Sequence, residues 1–171
     1  MKHQFEQING LRFHYVMNGP EEGKTMLFLH GFPEFWYEWR NLLIEFGKDY
    51  QAIAPDLRGY NLTEKPLTVE DYAVRLIVSD IKAFFDRFSP GRKAILVAHD
   101  WGGAAAWAFA IAFPEYLERL IIINAPHPGV FARELTHNPE QQQASAYMLT
   151  FRTPGAEDLL SRNNYRALSR A

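Results

Sequence analysis

The apolar positions along the chain follow two alternating periods. Residues 4–7 and 12–16 read as strands joined at Asn9-Gly10, a dipeptide that favours a tight hairpin turn. Residues 25–29 and 51–54 are nearly unbroken apolar runs, as expected of strands covered on both faces. Pro55 has no N–H to give to a ladder and is expected to end the second run. Residues 35–46 place Trp36, Trp39, Leu43 and Phe46 near helical spacing. Thr68-Val69-Glu70-Asp71 resembles a helix-start box. The helix it predicts carries Leu76, Ile77, Ile81, Phe84, Phe85 and Phe88 on one stripe and stops at Ser89-Pro90-Gly91. A strand over 94–97, a buried helix over 103–113 and a last strand over 120–123 follow. Strands alternating with helices predict an α/β fold, a mostly parallel sheet flanked by helices. Ligands of such sheets bind beyond the carboxyl ends of the strands.

After Asn124 the pattern changes. Ala125-Pro126-His127-Pro128-Gly129 reads as a rigid linker, and residues 130–171 are polar and helix-prone with no further strand. Two units are therefore expected, 1–126 and 127–171. Gln141-Gln142-Gln143 reads as a solvated helix face.

Composition narrows the function classes. The 171 residues are 47% hydrophobic and 22% charged, enough for a real core. Net charge is −2 with both signs dispersed, and there is no basic stripe for nucleic acid. The absence of cysteine excludes disulfides, thiolate metal sites and cysteine nucleophiles. Met1 to Glu6 shows no apolar leader. The longest apolar run, 102–113, falls short of the ~20 residues a membrane span needs. No membrane span is expected, and a cytoplasmic protein is the default.

The chemistry centres on Ala98-His99-Asp100-Trp101-Gly102. A strand, a sharp turn with small residues two before and two after its tip, then a helix is the setting of a nucleophile elbow. Asp100 stands at the tip. A carboxylate, with an ordinary pKa of about 3.9, needs no neighbouring base before it attacks. Its natural electrophile is a saturated carbon bearing a leaving group, and the product is an ester on the protein that water can open. An acyl substrate would instead give an unstable anhydride, which argues against a lipase or esterase.

Three runs carry a specific resemblance. His30-Gly31-Phe32-Pro33-Glu34-Phe35-Trp36-Tyr37-Glu38-Trp39-Arg40, Asp56-Leu57-Arg58-Gly59-Tyr60 and His99-Asp100-Trp101-Gly102-Gly103 resemble the soluble epoxide hydrolase branch of the α/β-hydrolase fold family. Asn124-Ala125-Pro126-His127-Pro128 is similar to the junction where that family's helical cap begins, so 127–171 would be the start of a cap. The resemblance implies Asp100 as nucleophile, with the backbone N–H groups of Phe32 and Trp101 as oxyanion hole. It implies Tyr147 as the first of two cap tyrosines that protonate the epoxide oxygen. Phe32, Pro33, Trp36, Trp101 and Tyr147 would line the substrate site, although Trp36 reads equally well as a core aromatic. His30 and His99 are expected to be structural, and the Phe32–Pro33 bond is a candidate for the cis form. The substrate implied is a small hydrophobic epoxide, with water, and no metal or organic cofactor.

The same motifs occur in dehalogenases, which would use the same Asp100. A third reading is an inactive domain that only binds a ligand or partner. The histidine base and the acid that the family uses against the ester are not matched here: His127 and His137 fall at the junction and inside the cap, and Asn124 is not an acid. The resemblance thus implies the N-terminal portion of a larger enzyme. Its apolar sheet edge would then be open to association, a homodimer included.

Overall fold

The computed structural model describes residues 1–166 and Leu168. The chain forms two compact units, Met1–Pro126 and His127–Ala171.

The first unit is built on strands β1 (Lys2–Ile8), β2 (Leu11–Asn18), β3 (Thr25–Leu29), β4 (Gln51–Pro55), β5 (Ala94–His99) and β6 (Leu117–Ile123). Their order in the sheet is β1-β2-β4-β3-β5-β6. The β1–β2 and β2–β4 pairs are antiparallel, and β3–β4, β3–β5 and β5–β6 are parallel. Asn9 and Gly10 both take positive φ, +49° and +79°, which a two-residue hairpin matched to strand twist requires.

The apolar runs sort onto two faces with a period of two. Leu27, Leu29, Ile53, Leu96 and Ala98 join one core cluster with α2 (Val74–Phe88) and α3 (Asp100–Ala112). Met26, Phe28, Ala52, Ala54, Ile95 and Val97 join the other, under Trp36, Trp39 and Leu43. Both faces of the central strands are therefore buried, which is why their sequences do not alternate.

Several boundaries differ from expectation. Residues 35–46 divide into a 3-10 turn, Trp36–Trp39, and α1 (Arg40–Phe46). Three residues per turn put Trp36 and Trp39 one above the other, and both indoles are buried. Strand β4 includes Pro55, opposite Tyr15. Its pairing with β3 has ended at Ile53, and Asp56 N–H carries the contact to β2 onward by donating to His14 O. The Thr68 box does not open α2. Thr68 Oγ1 bonds the Asp71 carboxylate at 2.8 Å, residues Val69–Tyr72 close as a 3-10 turn, and extended Ala73 separates it from the helix. Strand β6 starts at Leu117, before the charged Glu118 and Arg119, because an edge strand can leave these in solvent. Ile121 and Ile123 on β6 are also exposed.

The second unit is helical among its described residues: α4 (Pro128–His137), α5 (Pro139–Ala144), α6 (Ala146–Thr150) and α7 (Ala156–Tyr165). The expected linker is shorter than read, because Pro128 and Gly129 already open α4. Proline at the first turn forfeits only an N–H that has no helical partner, and the His127 ring accepts from Gly129 N–H. Gln142 and Gln143 face solvent and Gln141 is partly covered. Among the described residues no helix is long and apolar enough to cross a membrane.

Candidate active site

Strand β5 ends at His99 and α3 begins at Asp100, with no residue between them. Such a reversal needs an unusual backbone, and Asp100 takes φ +50°, in the left-handed region. The helix must then leave past the end of β3 at very short range. A Cβ on Gly102 would fall 2.5 Å from His30 O and 2.6 Å from Leu29 O, so only glycine fits there.

The loop after β3 closes on the same point. A Cβ on Gly31 would lie 2.4 Å from Asp100 Cβ and 2.5 Å from its Oδ1. Glycine lets the loop pass, and Phe32 N–H donates to Asp100 Oδ1 at 3.0 Å. The Phe32–Pro33 bond is cis. Trp101 lies in the first turn of α3, where N–H groups have no partner within the helix. Its side chain is 45% exposed.

Two buried side chains fix this loop to the segment after β4. His30 is fully buried; its Nδ1–H donates to Gly31 O at 2.8 Å and its Nε2 accepts from Leu57 N–H at 2.9 Å. Those two partners require the neutral ring, and burial lowers the His30 pKa below the ordinary value. Asp56 is equally buried. Its Oδ1 accepts from Trp36 N–H at 3.0 Å, and its Oδ2 from His14 Nδ1–H at 2.7 Å and Asn61 Nδ2 at 2.8 Å.

The histidine has a pH consequence. The unfolded chain protonates His30 near its ordinary pKa of about 6.5, whereas the folded chain resists until lower pH. Its contribution is full above about pH 6.5 and is lost as pH falls toward the folded pKa, by at most about 1.4 kcal/mol per pH unit. His30→Gln should flatten the fall of unfolding free energy between pH 7.5 and 5.5 in parallel urea titrations. An unchanged slope would remove His30 as its source.

The remaining candidates are more scattered. Pro33 is exposed. Trp36 is 8% exposed and sits in the core cluster with Phe28 and Leu43, its ring edge-on to His3 at 5.0 Å; this is the core placement of that residue. Tyr147 stands on α6 in the second unit, 43% exposed, with its ring 5.4 Å from Phe151. Two further residues near the elbow give no separate signal in the sequence. Tyr60 packs edge-on against His30 at 4.7 Å, and its phenol is pushed up to about 12 by burial and by the Asp100 charge. It lies within the Asp56–Tyr60 motif but has no spacing of its own that would mark it. The other is Glu38, which reaches His99. Among the described residues no three His, Asp or Glu side chains gather as a metal site would require.

The model of the alpha/beta hydrolase fold family matches residues 24–163. "Epoxide hydrolase 4" of Homo sapiens is 44% identical over 161 residues, covering 94% of this chain and 44% of that protein. "AB hydrolase superfamily protein YfhM" of Bacillus subtilis is 43% identical over 175 residues, covering all of this chain and 60% of that protein. The crystal structure of a Bacillus megaterium epoxide hydrolase in complex with an inhibitor superimposes with a TM-score of 0.91 at 43% identity, over 98% of this chain and 58% of that one. The chain thus spans about half the length of the curated relatives it matches. With the elbow, the glycine-gated loop and the sheet order already in place, the match over most of its length makes this chain a member of the alpha/beta hydrolase fold family.

Proposed function

We propose that the chain carries the nucleophile of an epoxide hydrolase, with Asp100 attacking an epoxide carbon. The observation that carries this is the elbow carboxylate whose Oδ1 is held by Phe32 N–H. The epoxide hydrolases among its relatives support the substrate class. In the proposed step an Asp100 carboxylate oxygen bonds to carbon and the ring C–O bond breaks. The epoxide oxygen leaves as an alkoxide that takes the Tyr147 phenol proton, with the second unit as the start of a cap. With Oδ1 held by the loop, Oδ2 is the attacking atom and Oδ1 becomes the ester carbonyl. When water adds to that carbonyl, Phe32 and Trp101 N–H groups receive the negative charge, a stabilisation worth about 3–4 kcal/mol per donor in comparable sites. The water-activating base is given to none of the first unit's histidines. His3 is bonded to His14, His14 to Asp56 and His30 to its loop, while His99 faces Glu38. As the tetrahedral intermediate collapses, the bond from the carboxyl carbon to the alkyl oxygen breaks. One proton of the attacking water passes to the departing alkoxide and the other restores the Tyr147 phenol, so that a vicinal diol leaves and the Asp100 carboxylate is regenerated.

The test is intact mass after exposure to a small terminal epoxide, with the supernatant assayed for diol. One added epoxide mass, or diol turnover, supports the reading. Halide release from a bromoalkane with neither would assign Asp100 to dehalogenation. Binding without any of the three would leave a ligand-binding domain. Gly31→Ala is the sharpest probe of the geometry. Its methyl group collides with the Asp100 carboxylate, so the alkylation rate should fall about 100-fold while the far-ultraviolet spectrum is kept. Unchanged alkylation would show that the loop does not set the attack geometry.

A further inference from the structure

Glu38 lies in the 3-10 turn that follows the Gly31-Phe32-Pro33 loop. Its side chain is only 19% exposed, and that of His99 only 27%. Glu38 Oε1 is 2.6 Å from His99 Nδ1. The approach is close without being an aligned hydrogen bond, and Glu38 Oε2 has no hydrogen-bond partner among the described residues. Burial pushes the Glu38 carboxyl above the usual carboxylate range, and His99 draws it back.

The position of this contact matters. His99 immediately precedes Asp100, and Gly31 immediately precedes Phe32. Phe32 and Asp100 are the residues joined by the hydrogen bond at the nucleophile. The Glu38 carboxylate, carried on the 3-10 turn that follows the loop, therefore meets the residue just before Asp100. We propose that Glu38 is a positioning residue that ties the elbow to the oxyanion loop and so sets where the Asp100 carboxylate points. Holding His99 against the turn that carries the loop limits how far Asp100 can shift from the Phe32 N–H. Reaction rates respond to such shifts, about 100-fold per ångström.

The proposal rests on the epoxide reading for its rate measurement but not for its structural one. In the full chain, the alkylation rate of Asp100 is followed by intact mass across a series of small terminal epoxide concentrations. Glu38→Ala should lower the saturating rate about 10-fold to 100-fold and leave the half-saturating concentration within about threefold. Glu38→Gln, which keeps the shape and an acceptor oxygen, should recover the rate to within about fivefold. Glu38→Asp keeps the charge but is one methylene short, and should resemble alanine. In parallel, hydrogen exchange at the Phe32 amide should speed about tenfold in Glu38→Ala and Glu38→Asp but not in Glu38→Gln, with β3 and β5 amides unchanged. Equal saturating rates in wild type, Ala and Asp would overturn the proposal, as would Phe32 exchange that ignores residue 38. If the wild-type chain gives neither adduct nor diol, the epoxide reading fails, and the exchange measurement alone decides the role of Glu38. If the alanine chain does not fold, the contrast between Asp and Gln decides it.

Discussion

Asp100→Asn should abolish the covalent adduct with a terminal epoxide, reducing the rate of its formation by about 10,000-fold or more, as loss of a nucleophile does elsewhere. The substitution is nearly isosteric. The amide keeps a carbonyl oxygen for Phe32 N–H, and asparagine tolerates the φ of +50° at the elbow as well as aspartate does. Stability should therefore stay within about 0.5 kcal/mol, which urea denaturation can check. What changes is the electron pair. An amide oxygen is a poor nucleophile toward saturated carbon, and the negative charge that drives ring opening is gone. The position at the head of α3 also matters, because unpaired N–H groups there favour an anion and will later favour the ester oxyanion. An adduct of equal yield on the Asp100→Asn protein, mapped by peptide mass to another residue, would displace Asp100 from the mechanism.

Asp56→Ala should have the largest effect on folding. Its carboxylate is fully buried and accepts from Trp36 N–H, His14 Nδ1–H, Asn61 Nδ2 and, at 3.3 Å, Leu62 N–H. Alanine would leave those donors facing a cavity. Removing one partner of a buried charged network costs about 3–5 kcal/mol, a large share of the ~5–15 kcal/mol that holds a domain together. A midpoint drop of roughly 10–20 °C is expected in thermal unfolding. Asp56→Asn should cost less, because one oxygen survives for Trp36, yet its NH₂ group would confront a donor. The damage should reach the site. Trp36 N–H is the anchor just beyond the Gly31-Phe32-Pro33 loop, so Asp56→Asn should also slow alkylation of Asp100. A loss below about 1 kcal/mol for alanine would mean that water or a neighbour satisfies these donors.

Much of the architecture was legible because it is local. The runs 25–29, 51–54 and 94–97 are apolar on both faces, and the strands lie where the pattern puts them, because no solvent-facing alternation survives in a sheet covered twice. Asn9-Gly10 and the small residues around Asp100 announce backbone conformations that few other residues accept. The misread boundaries arose where tertiary contacts outweighed local preference. Trp36 and Trp39 both needed the sheet, so the chain tightened to three residues per turn there. Thr68 bonded a side chain and not the backbone. Pro55 stayed in its strand because its neighbour on one side had already stopped pairing.

The site divides the same way. Sequence alone marked Asp100 as the candidate nucleophile and determined its strand–turn–helix setting and the loop facing it, since each depends on residue type at a fixed short spacing. It also left Trp36 evenly poised between pocket and core, and only three dimensions show its ring 8% exposed in the cluster with Phe28 and Leu43. Only the tertiary structure could show that Gly31 is small because Asp100 fills its space, or that Leu57 and Trp36 N–H groups are held by His30 and Asp56. Only it could bring Glu38, on the turn after β3, to His99 at the end of β5. Those contacts join residues far apart in the chain, and long-range hydrogen bonds and charge pairs leave no periodic trace in a sequence. Local chemistry is written along the chain, whereas its positioning is decided where the chain returns upon itself.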